Sequence, residues 1–178
     1  MDRCFLQYAV ARLTDMLSSP IRKTALACLA VSMLAGCSTA QLGGTKELTV
    51  SDFTSVCKKK NLYINDMTKS YKKTKGIKSV TLASNADSSV RSELFVFSSE
   101  DAAKKLYKRN ISYFKSQANA QPSKKSGKSW DTFEMTNGKT YYKSVRYKNT
   151  VLGSIASGKS QIAKVKAVIK ATGYDKLG

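Results

Sequence analysis

The sequence predicts an α+β fold: an antiparallel sheet of about five or six strands, two longer helices packed on one of its faces, and a short N-terminal helix. Three observations carry this. Two segments repeat apolar residues at threes and fours, first Ala102, Ala103, Leu106, Tyr107, Tyr113 and Phe114, then Ile162, Val165, Val168 and Ile169. Runs rich in β-branched and aromatic residues are separated by turn chemistry at Asn85–Ser88, at Asn137-Gly138 and at Asn149. The order strand, strand, strand, helix occurs twice, with no residue-level identity between the halves.

The domain is expected over residues 49–178. Thr49 or Ser51 caps a first helix over Asp52–Lys60, with Phe53, Val56 and Cys57 on one side. Lys58, Lys59 and Lys60 crowd its end, where the helix dipole favours cations. Leu62–Ile64 reads as a short strand, Asp66–Tyr71 as one helical turn and Lys72–Gly76 as a charged loop. Ile77–Ala83 and Val90–Ser98 form a hairpin. In its second strand Leu94 and Val96 share one face and Glu93, Phe95 and Phe97 the other, so both faces are covered near its end. Ser98 with Asp101 is a weaker capping box that opens the clearest helix, which fades near Asn119. Ala120–Lys128 reads as a polar surface loop. Trp130–Thr136, Lys139–Lys148 and Val151–Ala156 are the last strands, joined through Asn137-Gly138, the strongest short hairpin signal. The final helix spans Lys159–Ala171, and Gly173 stops it.

Upstream of the domain, Arg22 and Lys23 lead into an apolar run, Ala25–Met33, that ends at Leu34-Ala35-Gly36-Cys37. Positive charge, a short apolar stretch and small residues occur in the order a signal peptide needs. The run is too short to span a bilayer, which takes roughly 20 apolar residues. The tetrapeptide resembles the lipobox of bacterial lipoprotein precursors. That resemblance implies that Leu34, Ala35 and Gly36 are read by a signal peptidase. It further implies that residues 1–36 are removed and that the Cys37 thiol carries a diacylglyceryl group. Two acyl chains meet the threshold for stable anchoring; one does not. Residues 1–15 do not fit the pattern, which leaves Met16 open as the true start. Residues 37–48 read as the lipidated Cys followed by a flexible tether. The eight residues Ser38–Thr45 reach about 15 Å as a flexible chain. The rest of the chain resembles small uncharacterised Gram-positive lipoproteins in its general look.

Removing residues 1–36 from 178 leaves 142, one domain of ordinary size. Four of the 31 Lys and Arg and two of the 12 Asp and Glu go with the signal segment, leaving 27 cations, 10 anions and a net charge of +17. Such a charge favours anionic neighbours, among them lipid headgroups and envelope polymers. The lysines are spread over every element, so solubility and loose attraction to an anionic envelope are the plainer reading, and nucleic acid is disfavoured as a partner. Cys57 is the one cysteine left beside Cys37, so no intrachain disulfide forms, and burial is expected for it. There is no His, which removes the Ser-His and Cys-His machineries and the commonest zinc ligand. No cofactor or metal is expected.

The basic-aromatic strand Lys139–Lys148 is the best candidate contact surface, through Tyr141, Lys143, Arg146 and Tyr147. Tyrosines beside cations stack sugars and hold phosphates. The plainer reading, preferred here, is a strand whose tyrosine rings lie on the core while lysine stems run outward. Paired-carboxylate chemistry has weak candidates in Asp131 and Glu134, while Glu100 and Asp101 suit a helix start. Gly158-Lys159-Ser160 is a helix cap with a faint likeness to a phosphate loop. The expected function is a membrane-anchored extracytoplasmic binding or interaction module with an anionic or glycan partner at the cell envelope. The alternative is an envelope hydrolase or transferase that uses carboxylates.

Overall fold

The computed structural model describes residues 46–117 and 120–177. The signal segment, Leu34-Ala35-Gly36, Cys37 and the tether up to Thr45 lie outside the described residues. Helix α1 covers Val50–Lys59, strand β1 Tyr63–Asp66, β2 Ile77–Ser84 and β3 Val90–Phe97. Helix α2 covers Glu100–Ser116, β4 Ser123–Ser126, β5 Trp130–Asn137, β6 Thr140–Tyr147, β7 Thr150–Ser157 and α3 Lys159–Ala171. The strands make one antiparallel sheet in the order β1-β2-β3-β7-β6-β5-β4. The fold is α+β.

The sheet has seven strands, against the expected five or six. The addition is β4, Ser-Lys-Lys-Ser, which the sequence reading leaves in a loop because every one of its side chains is exposed. Backbone pairing to β5, from Ser123 opposite Glu134 to Ser126 opposite Asp131, is what makes it a strand. Edge lysines also discourage pairing with another chain.

The two longer helices do not share a face. Tyr141, Val145 and Tyr147 of β6 belong to one core with Val165, Val168 and Ile169 of α3 and with Phe53 and Cys57 of α1. Side chains of the opposite parity meet α2: the Phe114 ring lies 5.1 Å from Tyr142 and 6.0 Å from Phe133. The physical reason is visible in β3, where Leu94 and Val96 turn toward α1 and α3 while Phe95 and Phe97 turn away. A sheet that is apolar on both faces needs cover on both. Phe114 and Phe133, both essentially buried, are worth ~1.5–3 kcal/mol each relative to exposure.

Local signals fix the ends of the elements. Thr49 caps α1, its Oγ1 accepting from the Asp52 N–H at 3.1 Å, and the helix starts two residues before the expected Asp52. Ser99, one residue later than the expected Ser98, caps α2 by accepting from Ala102 N–H. The turn before β2 is a 3₁₀ helix, Thr68–Tyr71, whose Tyr71 ring packs edge-on against Phe95 at 5.6 Å. Leu48, expected in the tether, packs with the domain instead. Leu48 is buried, and its N–H donates to the Tyr174 hydroxyl at 3.0 Å. That hydroxyl is 2.7 Å from Thr150 Oγ1 at the start of β7, so the chain is clasped where it enters the domain. No helix among the described residues is long and apolar enough to cross a membrane.

Candidate functional site

Strand β6 carries its tyrosine rings in the core, in keeping with the preferred reading of it, and offers no open contact surface through Tyr141, Lys143, Arg146 and Tyr147 together. Tyr141 and Tyr147 are buried on the α3 side and Arg146 is buried on the α2 side. The cause is cover on both faces: alternation sends Tyr141, Lys143 and Tyr147 one way and Arg146 the other, and each side meets a helix. Lys143 donates to Glu134 at 2.9 Å, and Lys166 of α3 stands 4.9 Å from the Tyr141 ring centre, a cation–π distance. The Tyr147 ring lies 6.3 Å from Tyr174. These four residues therefore share a strand and no common exposed face.

Arg146 holds an ionic cluster under the start of α2. Its Nε donates to Asp131 at 2.5 Å and its Nη1 to the carbonyls of Ser129 and Lys148 at 3.0 and 3.3 Å. Glu100 of α2 is 3.8 Å from Nη1. The planar guanidinium suits this many acceptors, which a lysine could not serve together. Burial raises the Tyr107 phenol above its ordinary value, and the Asp131 carboxylate adds to the effect. Asp131 and Glu134 point to opposite faces of the sheet, Asp131 to Arg146 and Glu134 to Lys143, so they cannot flank one bond as paired carboxylates must. Glu100 and Asp131 meet only across the guanidinium between them. A second buried pair, Arg91 with Glu93, lies on the same face.

Cys57 is fully buried, and desolvation pushes its thiol from 9.0 up to about 12. The first N–H of α3 follows Gly158, whose own N–H donates to Lys139 O at 2.8 Å, with no side-chain cap. Among the described residues no group of three or more Cys, Asp and Glu side chains is placed to hold a metal ion.

Among the described residues, an open concavity lies elsewhere. A cleft of about 420 Å³ forms between the loop before β2 and the first turns of α2. Thr74, Lys75 and Gly76 line it from the loop, Phe97 from the end of β3, and Ala102, Lys105, Leu106 and Arg109 from α2. Ser98, Ser99 and Asp101 complete it. Gly76, at φ +84°, makes the close approach: a Cβ there would sit 3.2 Å from that of Ala102. The Ser98 N–H donates to Gly76 O at 2.8 Å and ties the loop to the helix start. Three cations against one acid surround the half-buried Ala102, with Phe97 and Leu106 buried behind it. Thr74 Oγ1 is buried with no hydrogen-bond partner. Such a lining can hold an anion that carries a small apolar body. Sequence reasoning separates these residues into a charged loop and a helix cap; only the β2–β3 pairing, with Ile77 opposite Phe97, brings the two together.

No family model and no curated protein matches this chain. Among solved structures it is similar to a GTP-binding regulator from Thermotoga maritima, at 15% identity and a TM-score of 0.42, over 70% of this chain and 87% of that one. A likeness at that level assigns neither activity nor ligand.

Proposed function

We propose that this chain is an extracytoplasmic lipoprotein, anchored to a bacterial membrane through a lipid on Cys37, whose domain binds an anionic partner at the envelope. One observation carries the reading: Arg22 and Lys23, the apolar run and Leu34-Ala35-Gly36-Cys37 stand in the order that lipid attachment requires. Net charge supports the choice of partner, and so does the cationic lining of the cleft. The buried strand β6 shifts the contact region from Tyr141, Lys143, Arg146 and Tyr147 to that cleft. Because Asp131 and Glu134 turn to opposite faces, the binding module is preferred to a carboxylate hydrolase. Metabolic labelling with palmitate tests the anchor. Label should enter the wild-type chain and vanish in Cys37→Ala, which should accumulate as uncut precursor. Label that persists in Cys37→Ala rules the anchor out.

A further inference from the structure

We infer that the cleft between the loop Thr74–Gly76 and α2 binds the headgroup of an anionic phospholipid. The inference rests on the anchored reading for the source of the ligand, and on the geometry of the cleft for its chemistry. A phospholipid headgroup joins a phosphodiester to a glycerol with an apolar continuation. Lys75, Lys105 and Arg109 supply charge for the phosphodiester, while Ala102 gives a small apolar surface beside it, backed by the buried side chains of Phe97 and Leu106.

The position of the cleft selects a lipid over a free anion. Strand register puts Phe97, Thr150, Tyr147 and Ile77 at one end of the sheet: Ile77 pairs with Phe97, Thr150 with both Val96 and Tyr147, and Phe97 N–H donates to Asn149 O. Leu48 is clasped through Tyr174 to Thr150 at that same end. Leu48 is therefore held at the end of the sheet that carries the cleft. Leu48 lies eleven residues after Cys37, and covalent geometry limits that span to at most about 40 Å. On the anchored reading, this end is the one nearer the bilayer. The neighbouring turns add exposed cations there: Lys72 and Lys73 before β2, Lys128 between β4 and β5, and Lys148 between β6 and β7. Each lysine held near an anionic leaflet adds attraction that falls away within a Debye length.

The test uses the full chain, labelled with nitrogen-15, and dihexanoyl phosphatidylglycerol below its micelle concentration. Saturable shifts confined to Thr74–Gly76 and Ser98–Arg109 are expected, with at least tenfold weaker binding of dihexanoyl phosphatidylcholine and of inorganic phosphate. The double variant Lys75→Glu/Lys105→Glu, with an unchanged thermal midpoint, should weaken the phosphatidylglycerol at least tenfold. Lys58→Glu/Lys59→Glu, at the opposite end of the sheet, should change it less than twofold. Shifts spread over the whole surface, equal losses from both pairs, or inorganic phosphate binding as tightly as the lipid would each overturn the inference. The wild-type shift map decides even where a variant fails to fold. Palmitate incorporation is read separately. A chain that is acylated and shows no saturable shifts loses the cleft and keeps the anchor; one that binds without acylation keeps the cleft and loses the anchor.

Discussion

Native Cys57 should react with a thiol reagent about a thousand-fold more slowly than the same residue in urea. Its side chain is fully buried in the core that α1 shares with α3, beside Phe53. Desolvation raises the thiol from 9.0 to about 12, so at pH 8 the native thiolate fraction is about a thousandth of the unfolded one. Steric exclusion slows the native reaction further, and labelling then proceeds through opening of the fold. The same shift ties stability to pH. Below pH 9 the thiol is protonated in both states, so its contribution is fully present. From about pH 9 to 12 the unfolded chain loses the proton and the folded chain keeps it, so stability falls by up to about 4 kcal/mol. The assay is pulsed alkylation at pH 8, acid quench and peptide-resolved mass spectrometry, which separates Cys57 from the other cysteines. Native labelling within tenfold of the unfolded rate would refute the burial of α1 against the sheet and would make Cys57 an exposed, reactive thiol.

Tyr71 and Tyr174, both raised to about 12 chiefly by burial, act in the same direction as Cys57. The urea midpoint should therefore decline steadily above about pH 9, and a midpoint flat to pH 11 would contradict this. Arg146→Met removes the cation shared by Asp131, Glu100 and two carbonyls and should cost ~3 kcal/mol in urea denaturation; a cost under 1 would show that the cluster is not structural. Phe114→Ala opens a hole between α2 and the Phe133 and Tyr142 rings and should cost ~3–5 kcal/mol, measured as a shift in midpoint at constant slope. Gly158→Ala meets no neighbour within 4 Å but must hold φ +91°, so strain alone should cost about 1 kcal/mol in thermal denaturation.

Much of the chain was legible wherever side chains state a period. Helix α3 occupies the expected Lys159–Ala171, and the strands on either side of Asn137-Gly138 fall within a residue or two of their expected bounds, because apolar spacing and turn chemistry agree there. Strand β4 was illegible because its exposed Ser-Lys-Lys-Ser carries no pattern and only backbone pairing to β5 defines it. The placement of α2 opposite α3 was half legible: β3 shows apolar residues on both faces, yet no single strand says which helix covers which face. Strand β6 carries two readings in the sequence, and the preferred one, a core strand, fits the burial. Tyr141 and Tyr147 look like a ligand platform in a strand read alone, and they become core once α1 and α3 lie over them. The cleft joins Thr74–Gly76 to α2 across the whole β2–β3 hairpin, a juxtaposition set by tertiary pairing and carried by no local motif.

The most direct test of the account is the intact mass of the chain recovered from the membrane fraction of its host. The lipoprotein reading predicts one species that starts at Cys37 and exceeds the mass of residues 37–178 by a diacylglyceryl group, with or without a further acyl chain on the new N-terminus. A membrane-fraction chain that starts elsewhere, or that begins at Cys37 with an unmodified thiol, would contradict it.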